Sequence, residues 1–456
     1  MSRGGSETLK ELELCDSLVE RARKMGADDA EVFYIKSRQL GAVFEKNDLQ
    51  VPKGDDYDGL GIRVLLYGKG GAKQGFAATN MLSPDSLEET LLAAIAIANA
   101  SPDDPNHWMP EPSTIEPVPG RYDESAETMS LEDAVEQGLA LVNSARAFDP
   151  RVTLDSAQYM VDITEKAIVN SKGIRLVEKD SVFTCLAMGF ARDEKEVSSF
   201  DLEVAVTCRK DEIDPTAIGR KLAEKVVASL GATTVPSFKG DVIITPYAGY
   251  DLIAEPISFS CNAQNVQNGR SKWAGMLGTE VMSPVISVTD DPKLPKAAGS
   301  TSFDREGVPP AALQLVSEGT LNHYLYNCYT AKKDGVASNG RAAGSDHTVP
   351  GISTTNFVVA SGKHSLDEMI AGCSKGLLVS RFSGNVDPVS GDFSGLVKGG
   401  HYIEAGKIVC PVKEVMISGN IYDLLRQVVD VSREYVDVGG SRMPYIQIEG
   451  CSITGK

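Results

Sequence analysis

The stretch Thr233-Thr-Val-Pro-Ser-Phe-Lys-Gly240 separates two kinds of sequence. Pro236 at its centre interrupts regular structure, and the composition changes across it. Before it, helical spacings of apolar residues alternate with strand-like blocks. After it, glycine and short strand-like runs dominate. The fold class that follows is α+β in two domains. Residues 1–235 form an amino-terminal α+β domain and residues 236–456 a β-rich carboxyl-terminal domain. A length of 456 residues suits two to three domains.

Just upstream of the junction, Asp214-Pro215 opens a helix carrying Ile218, Leu222, Val226 and Leu230 on one face, ended by Gly231. Strands at Tyr159–Ile163, Ile174–Val177, Val182–Phe190 and Leu202–Cys208 precede it, with Asn170-Ser-Lys-Gly173 as a turn. A further helix begins at the capping box Ser130-Leu-Glu-Asp133 and points Val135, Leu139 and Val142 inward. Residues 102–119 hold six prolines and read as a connector. Before them the order repeats. A helix carries Leu9, Leu12, Cys15, Leu18, Val19 and Ala22, with Gly26 as its stop. Strands follow at Ala30–Ile35, Gly41–Glu45, Gly61–Tyr67 and Gly75–Ala78, and a helix starts at Ser83-Pro84. Helix–strands–helix thus occurs twice, as an internal duplication or as independent use of a common arrangement. Beyond residue 240 the expected strands are Asp241–Thr245, Val285–Thr289, Leu313–Val316, Leu321–Asn327, Ile408–Ile417 and Tyr445–Ile448. Helices are expected at Ala248–Phe259 and after the capping box Ser365-Leu-Asp-Glu368.

A net charge of -18 opposes the phosphate backbone, so direct nucleic-acid binding is not expected. The longest apolar run, residues 91–98, is far short of a membrane span. With no apolar core behind the amino terminus, a cytoplasmic protein is expected. Eight cysteines are scattered without a Cys-x-x-Cys pair and read as small buried apolar groups.

The five histidines, at 107, 323, 347, 364 and 401, are too far apart for a helical His-Glu-x-x-His pair and read as loop residues. Gly372-Cys-Ser-Lys-Gly376 has the letters of a nucleophile elbow but the wrong context. A helix leads in and an apolar run leads out, so it reads as a helix end. No nucleotide-binding glycine loop occurs. Phe303-Asp-Arg-Glu-Gly-Val-Pro309 places three charges beside a glycine, a pattern that more often braces a loop than performs acid–base chemistry.

Several segments resemble the TldD/PmbA family, once called modulators of DNA gyrase. They are Asn170-Ser-Lys-Gly173, Thr289-Asp-Asp-Pro292 with Ser300–Val308, Glu318-Gly-Thr-Leu321 through Lys332, Ser390-Gly-Asp-Phe-Ser394, Cys410-Pro-Val412 and Ile417-Ser-Gly-Asn420. The resemblance spans the chain and is densest from 240 to 425. TldD-like members carry a His-Glu-x-x-x-His helix and a later cysteine that bind zinc. Here the matching helix, Tyr247–Pro256, has no histidine, and Ser432–Val438 has no cysteine. Residues 258–271 instead resemble the TldE/PmbA branch.

The resemblance implies a non-catalytic TldE/PmbA-like subunit of a TldD/TldE metalloprotease that degrades or processes unfolded peptides. It implies no metal in this chain and zinc in a TldD-like partner. Pairing is expected to be heterodimeric with that partner and homodimeric when the chain is alone. An extended peptide can be gripped by addition to a sheet edge. The peptide-facing surface is expected at Phe303, Asp304, Arg305, Gly307, Gly391, Asp392, Phe393 and Asn420, read as short polar loops. Two other readings stand beside this one: a homodimeric peptide-binding protein, and a peptidase using the Asp304/Glu306 or Asp392 region.

Overall fold

The computed structural model describes residues 3–456, with side chains from Lys10 onward; Leu9, assigned above to an inward stripe, lies outside the described side chains. The first 207 residues build one antiparallel seven-stranded sheet. Its order is Gly71–Thr79, Lys53–Gly68, Asp29–Glu45, Val152–Asn170, Arg175–Ala191 and Asp201–Thr207, with the short Asp48–Leu49 on Asp29–Glu45. Each helix–strands–helix unit thus supplies one side of the sheet, and the two meet where Asp29–Glu45 pairs with Val152–Asn170 over fifteen residue pairs, Glu31↔Asn170 to Glu45↔Ser156.

Side-chain alternation assigns the two faces. Ala30, Val32 and Tyr34 pack under the helices Arg3–Lys24 and Pro84–Ala100. Leu40, Ala42 and Phe44, on the same face, pack under Leu131–Phe148 and Pro215–Ala228. Glu31 and Phe33 point the other way, toward the carboxyl-terminal half, where Phe33 joins Ile168, Ile174 and Phe303 in a small apolar cluster.

The helix starts follow the expected caps: Ser83, Ser130 and Asp214 each accept main-chain N–H bonds in the first turn. Three expectations need correction. Ile174–Val177 and Val182–Phe190 are one strand, Arg175–Ala191. Ala30–Ile35 and Gly41–Glu45 are one strand, Asp29–Glu45, whose middle is half-exposed between the two helix pairs. Leu139 is 41 % exposed, because the buried stripe of Leu131–Phe148 runs through Ala134, Gly138, Leu141, Val142 and Ala145 instead. A Cβ on Gly138 would lie 2.2 Å from Phe44 Cε2, so the helix sits directly on the strand.

The carboxyl-terminal half forms a second, thirteen-stranded sheet from strands between Phe238 and Thr454; no strand is shared with the first. Of the expected strand Leu321–Asn327, only Thr320–Leu321 is paired as a strand, and Ile408–Ile417 divides into Lys407–Pro411 and Met416–Asn420. The Gly- and Ser-rich strands Arg381–Val386 and Asp392–Lys398 escaped the sequence reading. The Pro-rich connector crosses the junction. Trp108 Nε1 donates to the Cys328 carbonyl at 2.8 Å and Asn170 Nδ2 to the Pro110 carbonyl at 3.0 Å. No helix among the described residues is long and apolar enough to cross a membrane.

Candidate functional site

Three cavities open around the contact where Phe357 N–H donates to the Gly440 carbonyl at 3.0 Å. One of about 440 Å³ is walled by Tyr250, Asp251 and Glu255 of the helical stretch 246–261, and by Val386 and Pro388. A second, of about 330 Å³, is walled by Phe303, Asp304, Arg305 and Lys166, and shares Ser353, Thr354 and Thr355 with the first. The third, of about 470 Å³, shares Gly439, Gly440 and Ser441 with the first. Joined by these shared residues they form one branched cleft, of which the 440 Å³ chamber is walled by the carboxyl-terminal half alone and the other two by both halves.

The helical stretch begins with Pro246–Gly249, capped by Thr245, and contains a π-turn at Tyr250–Ala254 before Glu255–Cys261. In that turn the Glu255 N–H reaches back five residues to the Tyr250 carbonyl. Residues five apart are thereby brought onto one side, a widening frequent at functional sites. Tyr250-Asp251-x-x-x-Glu255 thus has the spacing of His-Glu-x-x-x-His with different side chains. Burial, then Glu255 four residues on, raises the Asp251 carboxyl above its ordinary range, opposed by Arg381. Burial and the same carboxylates raise the Tyr250 phenol, which stays neutral.

Zinc is held by imidazole and thiolate more readily than by a neutral phenol and two carboxylates. Among the described residues no three His, Cys, Asp or Glu side chains are grouped to hold a metal. This donor set does not fit zinc.

The 470 Å³ cavity has a different chemistry. Its wall includes Glu203, Val204, Ala205, Val206 and Thr207 in succession. Five successive residues can line a groove only along a strand's edge, because side chains alternate between faces. Asp201–Thr207 pairs only with Arg175–Ala191 and is the last strand of its sheet. The Leu202 carbonyl accepts Lys225 Nζ at 3.1 Å and Val204 N–H donates to the Tyr247 hydroxyl at 3.3 Å, so even-numbered main-chain groups point off the edge. Val206, next in that series, turns its N–H and C=O into the groove. Facing it are Tyr435, Val436 and Asp437 from Val428–Val438, which pairs with Ser441–Thr454 and, through Ser432, bridges His364.

The eight residues expected at a peptide-facing surface fall into two groups. Phe303, Asp304 and Arg305 reach the wall of the 330 Å³ cavity yet are only 2–5 % exposed. Gly307, at φ +80°, packs on Ile174. Of the second group only Gly391 lies in a loop as expected. Asp392 and Phe393 begin the strand Asp392–Lys398 and pair with Asn420 and Gly419. Phe393 is core, and Asn420 caps the helix Ile421–Arg426 while its Nδ2 donates to the Ser390 carbonyl at 2.9 Å and Asp392 Oδ1 at 3.0 Å. Gly391, at φ +86°, abuts Tyr422. Sequence reasoning missed Asp251, Glu255 and the Val204–Val206 edge. The helix was foreseen but its π-turn was not, and a free strand edge leaves no side-chain signature.

Fold and cleft together define an α+β chain in which two small helix-and-sheet units sit beside a large β-rich half. The family comparison gives the same answer. Residues 30–98, 124–230 and 237–455 match, in order, the descriptions PmbA/TldA metallopeptidase domain 1, central domain and C-terminal domain. The chain belongs to the PmbA/TldD family. It is 26 % identical to the metalloprotease PmbA homolog of Haemophilus influenzae, over 95 % of this chain and 94 % of that one. It is 25 % identical to an uncharacterised protein of Methanocaldococcus jannaschii, over 91 % and 94 %. Among solved structures, a Thermotoga maritima protein described as a modulator of a DNA gyrase superposes with TM-score 0.87 at 26 % identity, over 97 % and 99 % of the chains. TldE from Thermococcus kodakarensis shares the fold with TM-score 0.90 at 22 % identity, over 97 % and 100 %.

Proposed function

We propose that this chain is a TldE/PmbA-type, non-catalytic subunit of a cytoplasmic TldD/TldE metalloprotease, and that it helps hold unfolded peptide for cleavage at zinc carried by a TldD-like partner. The observation that carries this reading is Tyr250-Asp251-x-x-x-Glu255, the spacing of a zinc helix with donors that do not fit zinc. The groove beside Val206 supports the peptide part, since main-chain groups left open on a strand edge take an extended chain irrespective of its side chains. Of the peptide-facing residues, Phe303, Asp304 and Arg305 border this cleft from the buried side, while Gly391, Asp392, Phe393 and Asn420 shape the turn that presents Pro388.

The test is elemental analysis and peptide cleavage with this chain alone, its TldD-like partner alone and both together. Substoichiometric zinc here, with cleavage only when the partner is present, is expected. One zinc per dialysed chain, or cleavage by this chain alone, refutes the proposal. The free strand edge favours a second reading, a homodimeric peptide-binding protein. That reading gains if the chain binds unfolded peptide as a homodimer and never pairs with a TldD-like subunit.

A further inference from the structure

Five ionisable side chains meet where the amino-terminal sheet faces the carboxyl-terminal half, and each is at most 5 % exposed. Glu31 comes from Asp29–Glu45, Arg63 from Lys53–Gly68, and Asp304, Arg305 and Glu306 from the loop opposite. Arg63 bridges Glu31 at 2.7 Å and Glu306 at 3.1 Å, while Arg305 reaches the other oxygen of Glu31 at 3.0 Å. The Arg305 guanidinium lies 3.8 Å from the centre of the Phe33 ring. Glu306 also accepts the Cys328 N–H at 2.7 Å.

Asp304 stands apart from the cations. Its Oδ1 accepts the N–H groups of Glu306 at 2.8 Å and Val308 at 2.9 Å, and its Oδ2 accepts that of Ala342 at 3.0 Å. Three carboxylates therefore share a buried site with two guanidinium groups. Fully ionised, the group of five carries one surplus negative charge, which a low-dielectric interior strongly disfavours. The simplest relief is a proton. Glu31 is held below its ordinary range: burial would raise it, but two guanidinium groups outweigh burial. Glu306 has Arg63. Asp304 has only main-chain N–H donors, which favour its ionised form but are outweighed by burial and by the Glu306 charge.

The other titratable groups do not remove the surplus: on the cavity wall beside Asp304, Lys166 and Arg121 are balanced by Glu178 and Asp180, and Arg341 by Asp290. Burial, then Glu306, pushes the Cys328 thiol up, so it stays neutral. His107, near Arg63, is held down, chiefly by burial. Asp346, beyond the Ser345 carbonyl that receives Arg305 Nε, is itself an acid and hydrogen-bonds Tyr57.

We propose that this junction is a proton-operated clasp, in which Asp304 holds a proton while the two halves are closed and its loss frees the 303–307 loop to part from the sheet. The Asp304 carboxyl is pushed up to about 7, by burial first and by Glu306 second, in agreement with the charge count. For a carboxyl raised in the folded state, the stabilisation is complete below the ordinary value of 3.8 and is lost as pH rises through about 7. Opening exposes the wall of the 330 Å³ cavity, of which Phe303, Asp304 and Arg305 are part. The clasp does not depend on what the cleft binds.

The experiment is amide hydrogen exchange of the full-length chain at pH 5.5 and 7.5, corrected for intrinsic exchange and followed in peptides covering 29–35, 60–65 and 301–309. Between these values the open fraction should rise on the order of twentyfold, from one proton released at about 7. Asp304→Asn should abolish the difference. Glu31→Gln, which removes the surplus charge, should move the change to lower pH and serves as a second variant if Asp304→Asn folds poorly. Equal protection of wild type at both pH values overturns the clasp, as does a pH dependence that persists unchanged in Asp304→Asn or Glu31→Gln.

Discussion

Replacing Arg63 by alanine removes the side chain on which two carboxylates depend. Glu31 keeps only Arg305, and Glu306 keeps only the Cys328 N–H. Breaking a buried pair by deleting one partner costs about 3–5 kcal/mol, and here one deletion unpairs two acids, so the upper end applies. Proton uptake by the stranded carboxylates offsets part of the loss at low pH, so the deficit grows as pH rises. Against the 5–15 kcal/mol typical of a folded domain, about 5 kcal/mol is a large fraction. The two tryptophans permit a local readout. Trp108 sits at the junction through its bond to the Cys328 carbonyl, and Trp273 is buried in the core of the carboxyl-terminal half. A urea titration of Arg63→Ala at pH 7.5 should show the Trp108 fluorescence changing well before that of Trp273, resolved with single-tryptophan versions. Arg63→Lys should recover part of the charge term but not the fork that spans both acids. Stability within about 1 kcal/mol of wild type, with both fluorophores changing together, would refute the idea that this network joins the halves.

Other consequences are equally open to measurement. Glu178 is held at about 2, since Lys166 and Arg121 outweigh the upward pull of burial, so its stabilisation is present above 4.5 and lost as pH falls toward 2. Glu178→Gln should therefore flatten the acid limb of thermal stability by about 3 kcal/mol, and an unchanged limb contradicts the assignment. Gly307→Ala combines φ +80° with a Cβ 2.9 Å from Ile174 Cγ2 and should lower stability by about 1–3 kcal/mol in denaturant titrations. Val206→Pro deletes the N–H aimed into the groove and should weaken binding of a fluorescent unfolded peptide at least severalfold without changing the circular dichroism; unaltered affinity moves the peptide elsewhere. Asp214→Ala removes the acceptor for the Thr216 and Ala217 N–H groups and should cost about 1 kcal/mol.

Much of the fold was legible because its signals are local. Ser83-Pro84, the Ser130 and Ser365 capping boxes and Asp214-Pro215 mark helix starts through a single side chain satisfying nearby N–H groups. Long strands were legible only where a helix pair covers them. The polar middle of Asp29–Glu45, Lys36-Ser-Arg-Gln39, looked like a break because nothing in the sequence says that both ends serve one sheet. Leu139 misled because the helix approaches Phe44 through a glycine, a constraint set by the partner strand. The charged loop 303–307 was legible as a brace, but its partners Glu31 and Arg63 lie more than 240 residues away in the sequence. The cleft was least legible, since its π-turn and free strand edge are main-chain features.

The central pairing of the first sheet sets a timetable for synthesis. Phe33 finds its partner Ile168 only after 135 more residues have left the ribosome. At about 5–20 residues per second, that is a wait of roughly 7–27 s. Throughout it, Asp29–Glu45 presents an unpaired edge with Val32, Tyr34, Val43 and Phe44 along it, the kind of template that recruits stray strands. A nascent chain of this design is therefore a natural client for chaperones that bind extended segments. Slowing translation between residues 80 and 170 should reduce the yield of soluble protein more than slowing it after residue 240.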